Sequence, residues 1–150
     1  MRLRISLSLL GVLPLALLTG CDETPTGRSQ LALVPEHLMA EMGADTFDQL
    51  RRDQPVSRDA AINRQVACVS QEIVAAAEAI YAADDFPEAW EVVVFEDASP
   101  NAFALPGGRI GVHTGLLKVA ETPDQMAAVI GHEVGHVLAD HGNALPSSLV

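Results

Sequence analysis

The stretch His132-Glu133-Val134-Gly135-His136 decides how the rest of this sequence is interpreted. It has the form H-E-x-x-H, and residues four apart on a helix share one face. The imidazoles of His132 and His136 can therefore converge on one metal ion. Glu133 lies about a third of a turn away, where it can reach the attacking water without ligating the metal. The pattern predicts a zinc site with Glu133 as general base.

The motif requires a helix, and the flanking residues predict one with marked ends. Thr122 is a good N-cap, Pro123 suits the first helical position, and Gln125 completes a capping box. Apolar residues then recur at helical spacing as far as Leu138. These signals predict a buried helix over Pro123–His141. The alternative is a chance match on an amphipathic helix, which this helical context disfavours.

The preceding chain predicts an α+β fold in which helices pack on a small β-sheet. Apolar spacing predicts one helix from Pro35 to about Asp53 and another over residues 58–83, capped by Ser57. Residues rich in β-branched and aromatic side chains predict strands. The predicted strands are Trp90–Glu96, Asn101–Leu105 and Arg109–His113, with a hairpin turn at residues 106–108 and a short helix, Gly115–Ala120, capped by Thr114.

The N-terminus predicts an export signal that ends in a lipidated cysteine. Arg2 and Arg4 precede the apolar run Ile5–Leu18, which is shorter than the roughly 20 residues of a membrane span. Leu18-Thr19-Gly20-Cys21 resembles a bacterial lipobox. We therefore expect residues 1–20 to be removed, Cys21 to carry the lipid, and residues 21–34 to form a tether. An ordinary signal peptide before an unmodified cysteine is the alternative.

Composition limits the class of partner. The 150 residues allow one domain, and the formal net charge of −11 argues against nucleic acid as a partner. With Cys21 lipidated, Cys68 cannot form an intramolecular disulfide, since the sequence contains only two cysteines. We expect Cys68 to be a small buried residue of its helix.

A catalytic zinc site usually has three protein ligands, and the third is missing from this sequence. The metzincin pattern fails because Ala139 and Gly142 stand where a glycine and a histidine are required. Gluzincins use a glutamate from a later helix, but no glutamate follows Glu133. Asp140 is about 12 Å of helix axis beyond His132, too far to share its ion. The chain is therefore expected to be truncated before the third ligand, or to receive that ligand from elsewhere.

His113 follows the third predicted strand, close in sequence to the motif helix. Two roles are open to it: contact with substrate, or an ordinary polar position at a strand end. The second is favoured, since a lone histidine is more often structural than functional.

Three stretches together resemble peptidase family M48, the HtpX-like and BepA-like zinc metalloendopeptidases. They are residues 101–108 (NAFALPGG), residues 114–117 (TGLL) and the H-E-x-x-H motif. The resemblance implies a zincin-like gluzincin domain, of which residues 35–143 form the N-terminal part and residues 144–150 an irregular tail. It also implies Zn²⁺ on His132 and His136, Glu133 as catalytic base, and a strand beside the cleft that pairs with substrate backbone. The residues of that strand are Asn101, Ala102, Phe103 and Ala104.

The sequence thus predicts a zinc-dependent metalloendopeptidase of the bacterial cell envelope, anchored by lipid on the periplasmic side. By resemblance, its substrates are misfolded or unassembled envelope proteins. A second hypothesis is a truncated, non-catalytic periplasmic lipoprotein that binds extended polypeptide along Asn101–Ala104. The intact motif favours the peptidase, because a protein that only binds has no need of Glu133.

Overall fold

The computed structural model describes residues 34–81 and 86–139, together with the backbone of two short strands near the N-terminus. Those strands, β1 (Asp22–Glu23) and β2 (Ser29–Gln30), pair antiparallel within the predicted tether. The main elements then follow in chain order: α1 (Glu36–Asp53), α2 (Ala60–Ile80), β3 (Glu91–Phe95), β4 (Ala102–Leu105), β5 (Arg109–His113), a 3₁₀ helix (Thr114–Lys118) and α3 (Pro123–Leu138). The architecture is α+β, as the sequence predicted.

The central sheet has three strands in the order β3-β5-β4. β3 and β5 are parallel, whereas β4 and β5 form the predicted antiparallel hairpin. Gly107 and Gly108 in its turn have φ of 78° and 77°, a region that glycine adopts without strain. α1 lies close against this turn, because a Cβ at Gly43 would come within 2.2 Å of the Pro106 carbonyl oxygen.

The two edges of the sheet differ. The outer edge of β3 is covered by residues 55–57: Ser57 N–H donates to the Val94 carbonyl at 2.8 Å, and Glu96 N–H donates to the Pro55 carbonyl at 2.8 Å. No strand of the part of the chain that the structure describes pairs with the outer edge of β4. Among the described strands, β4 therefore has one paired edge and one edge without a partner strand, called the open edge below.

The core lies between the sheet and the pair α2 and α3. Ile110 and Val112 from β5 meet Val66 of α2 and Ile130 of α3, all with no exposed surface. α3 also lies against β4, so the motif helix is held beside the open strand. In the described residues, none of the helices combines the length and apolarity needed to cross a bilayer.

Several boundaries and local roles differ from the sequence prediction. α2 is capped by Asp59, whose carboxylate accepts from Ala61 N–H at 2.8 Å, because the backbone of Ser57 is engaged with β3. Thr114 donates its hydroxyl to the Asp97 carbonyl and does not cap the 3₁₀ helix. Cys68 is exposed, so the prediction of a buried thiol was wrong. The described part of α3 ends at Leu138, and Asp140 and His141 lie outside the described residues.

Candidate metal and peptide site

The motif helix α3 is fixed at its start and along one face. Thr122 accepts from Gln125 N–H at 3.2 Å, and the Gln125 side chain accepts from Thr122 N–H at 3.1 Å, which is the predicted capping box. Met126, Ile130 and Val134 are buried on its inner face. Burying such side chains contributes about 1.5–3 kcal/mol each, so the orientation of the helix is set by its apolar face. The prediction of a buried helix therefore holds for one face only.

The opposite face presents the two histidines to solvent. The Nε2 atoms of His132 and His136 lie 2.9 Å apart, and their ring centroids are separated by 4.4 Å. Two Nε2 ligands of a tetrahedral zinc ion stand about 3.3 Å apart, given Zn–N distances near 2.0–2.1 Å. The imidazoles thus need only a few tenths of an ångström of adjustment to share one ion. Imidazole nitrogen is a ligand type that suits zinc.

Glu133 is half-buried between the histidine face and the core face of α3. Its position one residue after His132 turns it about a third of a turn from the imidazoles, in keeping with a proton acceptor rather than a ligand. On the other side of the two histidines, Gly135 has open space, since a Cβ built there would meet no heavy atom within 4 Å. The surface around the motif is therefore uncrowded within the described structure.

A third metal ligand is absent from the described residues. No group of three or more His, Cys, Asp or Glu side chains among residues 34–81 and 86–139 is arranged to hold a metal ion. The two histidines therefore make a partial donor set. The source of a third ligand stays a prediction from the sequence.

On one side of β4, beside this helix, the backbone groups pair with no other strand of the described residues. His113 N–H donates to the Asn101 carbonyl at 2.9 Å, so Asn101 bonds to the end of β5 through its carbonyl, while its own N–H donates to the Ser99 carbonyl at 3.0 Å. By alternation Phe103 also bonds to β5, opposite Gly111. Ala102 and Ala104 occupy the intervening positions and direct their N–H and C=O groups to the open edge. The sequence predicted the strand, but not which of its residues bond to β5 and which direct their backbone groups outward.

The side chain of Phe103 packs against other aromatic rings of the fold. Its ring lies 6.0 Å from that of Phe95 and 6.3 Å from that of Phe47, measured between centroids. It also covers Gly111 so closely that a Cβ there would fall 2.2 Å from the Phe103 ring. This aromatic cluster holds β4 against β5 and α1, so Phe103 positions the strand rather than offering its own side chain.

His113 anchors the turn that leads into β4. It is 8% exposed, and its Nδ1 lies 2.8 Å from the hydroxyl of Ser99. That hydroxyl donates to the carboxylate of Asp97 at 2.7 Å, as does the Ser99 N–H. The Ser99 hydroxyl and N–H, with a smaller contribution from His113, hold the pKa of Asp97 below its usual range. The favoured structural role for His113 agrees with this geometry. A turn at Asp97–Pro100 follows from the Asp-x-Ser-Pro sequence, but the contact of Ser99 with His113 was not predicted.

Comparison with known proteins assigns the family. The model of peptidase family M48 matches residues 60–148, which includes α2, the sheet and α3. The chain belongs to peptidase family M48. It is therefore a member of a metallopeptidase family, as the resemblance predicted.

Individual relatives agree with the family. The chain is 32% identical over 124 residues to mitochondrial metalloendopeptidase OMA1 of Arabidopsis thaliana, covering 83% of this chain and 23% of that protein. It is 32% identical over 92 residues to a putative beta-barrel assembly-enhancing protease of Vibrio cholerae, covering 61% and 18%. The match to the beta-barrel assembly-enhancing protease of Escherichia coli is 26% identical over 101 residues, covering 67% and 20%. The chain spans less than a quarter of the length of these relatives.

Proposed function

We propose that this protein is a zinc-dependent metalloendopeptidase. The observation that carries the proposal is the pair of Nε2 atoms 2.9 Å apart on the exposed face of α3, with Glu133 beside them. Membership of a metallopeptidase family supports the same chemistry. The second hypothesis, a protein that binds polypeptide without cleaving it, is not favoured, because the relatives in the comparison are named as peptidases.

The residues of α3 take distinct roles in this proposal. His132 and His136 would hold Zn²⁺ through their Nε2 atoms, with a third ligand from outside the described residues. When bound, zinc lowers the pKa of the attacking water and polarises the scissile carbonyl. Glu133 accepts the proton of that water and later gives it to the leaving amine.

The open edge of β4 is the proposed binding site for substrate. An extended polypeptide can add to an exposed sheet edge by backbone hydrogen bonds, which need no particular side chain. Ala102 and Ala104 supply the N–H and C=O groups for this pairing, while Asn101 and Phe103 keep the strand on β5. α3 lies against β4, so a chain paired on this edge passes near the motif.

The bacterial cell envelope is the proposed location, with misfolded or unassembled envelope proteins as substrates. Support comes from the lipobox before Cys21 and from the two bacterial relatives named for beta-barrel assembly. Residues 1–21 lie outside the described residues, so the lipid anchor rests on sequence alone. Mass spectrometry should find a diacylglyceryl Cys21 at the mature N-terminus; an unmodified cysteine there would contradict the anchor.

The function is tested by Glu133→Gln in the protein expressed from its complete gene. Glutamine keeps the size and hydrogen-bonding capacity of the side chain but cannot accept the proton. We expect hydrolysis of a quenched-fluorescence peptide or casein to fall by at least ~10²-fold, with zinc content near normal. Full activity in the variant would contradict the assignment of the base. Absence of zinc-dependent hydrolysis by the unaltered protein would contradict the peptidase itself.

The substrate edge is tested by Ala104→Pro. Proline removes one outward N–H, and edge strands tolerate it where the N–H is not paired within the sheet. Loss of one backbone hydrogen bond to substrate should lower kcat/KM by about fivefold, with little change in thermal stability. Ala104→Ser keeps the N–H and serves as the matched control. Unchanged kcat/KM in a folded Ala104→Pro variant would show that substrate does not pair with this edge.

A further inference from the structure

The side chains of Asp97, Ser99 and His113 form a chain of hydrogen bonds at the entry to β4. The Ser99 hydroxyl donates to the Asp97 carboxylate at 2.7 Å, and the Nδ1 atom of His113 lies 2.8 Å from the same hydroxyl. An ionised carboxylate can only accept, and a serine hydroxyl has a single proton to donate. His113 must therefore supply the proton of the second bond, which makes its Nδ1 an N–H donor.

The order of these three groups differs from that of a nucleophilic triad. In a serine hydrolase the histidine takes the proton of the hydroxyl and is itself held by the carboxylate. Here the hydroxyl lies between the other two groups and gives its proton to Asp97. The Asp97 carboxylate and His113 Nδ1 are 3.7 Å apart, beyond hydrogen-bond distance. The arrangement is therefore suited to holding a fixed geometry and not to activating Ser99.

The backbone closes this chain of bonds into a loop that contains Asn101. The Asn101 N–H donates to the Ser99 carbonyl at 3.0 Å, and the His113 N–H donates to the Asn101 carbonyl at 2.9 Å. His113 thus holds both Ser99, through its side chain, and Asn101, through its backbone. Asn101 directly precedes Ala102, the first residue of β4 that directs its backbone groups to the open edge. The position of that edge at its start therefore depends on these bonds.

The turn 97–101 is also held by the residues that lead towards the motif helix. The Gly115 N–H and the Thr114 hydroxyl both donate to the Asp97 carbonyl, at 2.8 and 2.9 Å. The approach is so close that a Cβ at Gly115 would lie 2.2 Å from the Ala98 carbonyl oxygen. The 3₁₀ helix that contains Gly115 comes directly before α3 in the element order. A shift of the turn would therefore move the start of β4 relative to the segment that enters α3.

The imidazole ring of His113 makes a second contribution, which is packing. It meets the rings of Phe95 and Phe103 edge-on, with centroid distances of 6.3 and 6.0 Å and an interplanar angle of 80° in both pairs. Such aromatic contacts stabilise the fold, whereas the Nδ1–H bond orients the turn. Because the two contributions come from different parts of one side chain, substitutions can separate them.

We propose that His113 is a positioning residue for the peptide substrate. Its Nδ1–H bond to Ser99 holds the turn 97–101 so that the outward backbone groups of β4 align with those of an extended polypeptide. Affinity falls when this bond is broken, since pairing on a sheet edge depends on the alignment of successive N–H and C=O groups. The inference rests on the proposed function of β4 as the substrate edge. It adds a side chain that acts on binding through the turn.

Two substitutions separate the hydrogen bond from the packing. His113→Phe keeps an aromatic ring but removes the donor, whereas His113→Asn keeps an N–H close to the position of Nδ1 but removes the ring. In the protein expressed from its complete gene, His113→Phe should raise KM about fivefold, as expected for one lost hydrogen bond. Its kcat, zinc content and melting temperature should change little. His113→Asn should show the opposite pattern, with KM near normal and a lower melting temperature.

Ser99→Ala removes the other partner of the same bond and should also raise KM, by at least about fivefold. Combining it with His113→Phe should add less than about twofold, because both substitutions break one interaction. Glu96→Gln is the matched control, since Glu96 is exposed next to the turn, and it should leave KM unchanged. Equal effects of Glu96→Gln and Ser99→Ala would overturn the proposal.

Binding measured without catalysis keeps this inference distinct from the peptidase function. Fluorescence anisotropy of fluorescein-labelled casein with the Glu133→Gln protein should show the same loss of affinity, about fivefold, when His113→Phe is added. The proposal is overturned by unchanged affinity in folded His113→Phe, or by affinity that follows melting temperature in both His113 variants. If Ala104→Pro weakens binding and His113→Phe does not, the substrate edge stands and only the role of His113 fails. Failure of the unaltered protein to hydrolyse peptides, with the expected anisotropy, would contradict the peptidase alone; failure to bind casein would overturn both.

Discussion

The two faces of α3 differ in what fixes their side chains. On the inner face Met126, Ile130 and Val134 are 0%, 0% and 1% exposed, and their packing sets the position of the helix. On the outer face His132 and His136 are exposed, and their Nε2 atoms lie 2.9 Å apart. In this sixteen-residue helix, the side chains that stabilise the fold and those proposed to bind metal therefore lie on different faces. Substitutions on the inner face should act on folding, and those on the outer face on metal binding and catalysis.

The largest effect on folding is expected from Ile130→Ala. Ile130 has no exposed surface and lies where α3 meets α2 and the sheet. Removing three carbons from such a site costs roughly 2–5 kcal/mol of unfolding free energy, because a cavity remains. Chemical denaturation monitored by circular dichroism measures this change.

The control for Ile130→Ala is Val119→Ala, since Val119 is 60% exposed. It should change the unfolding free energy by no more than about 0.5 kcal/mol. Equal losses in the two variants would contradict the division between a packed inner face and the exposed surface.

A smaller effect, of opposite sign, is expected from Gly135→Ala on the outer face. A Cβ at Gly135 would meet no atom within 4 Å, and alanine is preferred over glycine inside a helix. The unfolding free energy should rise by roughly 0.5–1 kcal/mol. Gly43→Ala is the contrasting variant, because its Cβ would lie 2.2 Å from the Pro106 carbonyl oxygen and must displace backbone. Destabilisation by Gly135→Ala would contradict the open space at this position.

Local signals in the sequence predicted most of the fold. The capping box at Thr122 and Gln125, the helix beginning after Pro35 and the strand Arg109–His113 are all present, since each depends on neighbouring residues. The N-cap of α2 was misassigned because Ser57 and Asp59 are both good caps. Only the bonding of the Ser57 backbone to β3, a tertiary contact, leaves the cap to Asp59.

Only part of the candidate site could be predicted from the sequence. The spacing of His132 and His136 predicted that their imidazoles converge, because four residues make about one helical turn. Which groups of β4 face outward depends on its register with β5, and the sequence does not specify that register.

Zinc stoichiometry measured in three single-site variants tests the central claim most directly. By equilibrium dialysis with atomic absorption, the unaltered protein should bind one Zn²⁺ per chain, and Glu133→Gln should bind the same amount. His132→Ala and His136→Ala should each lose the metal, because one remaining imidazole cannot hold it, while their circular dichroism spectra stay unchanged. Unaltered zinc stoichiometry in either histidine variant would contradict the account.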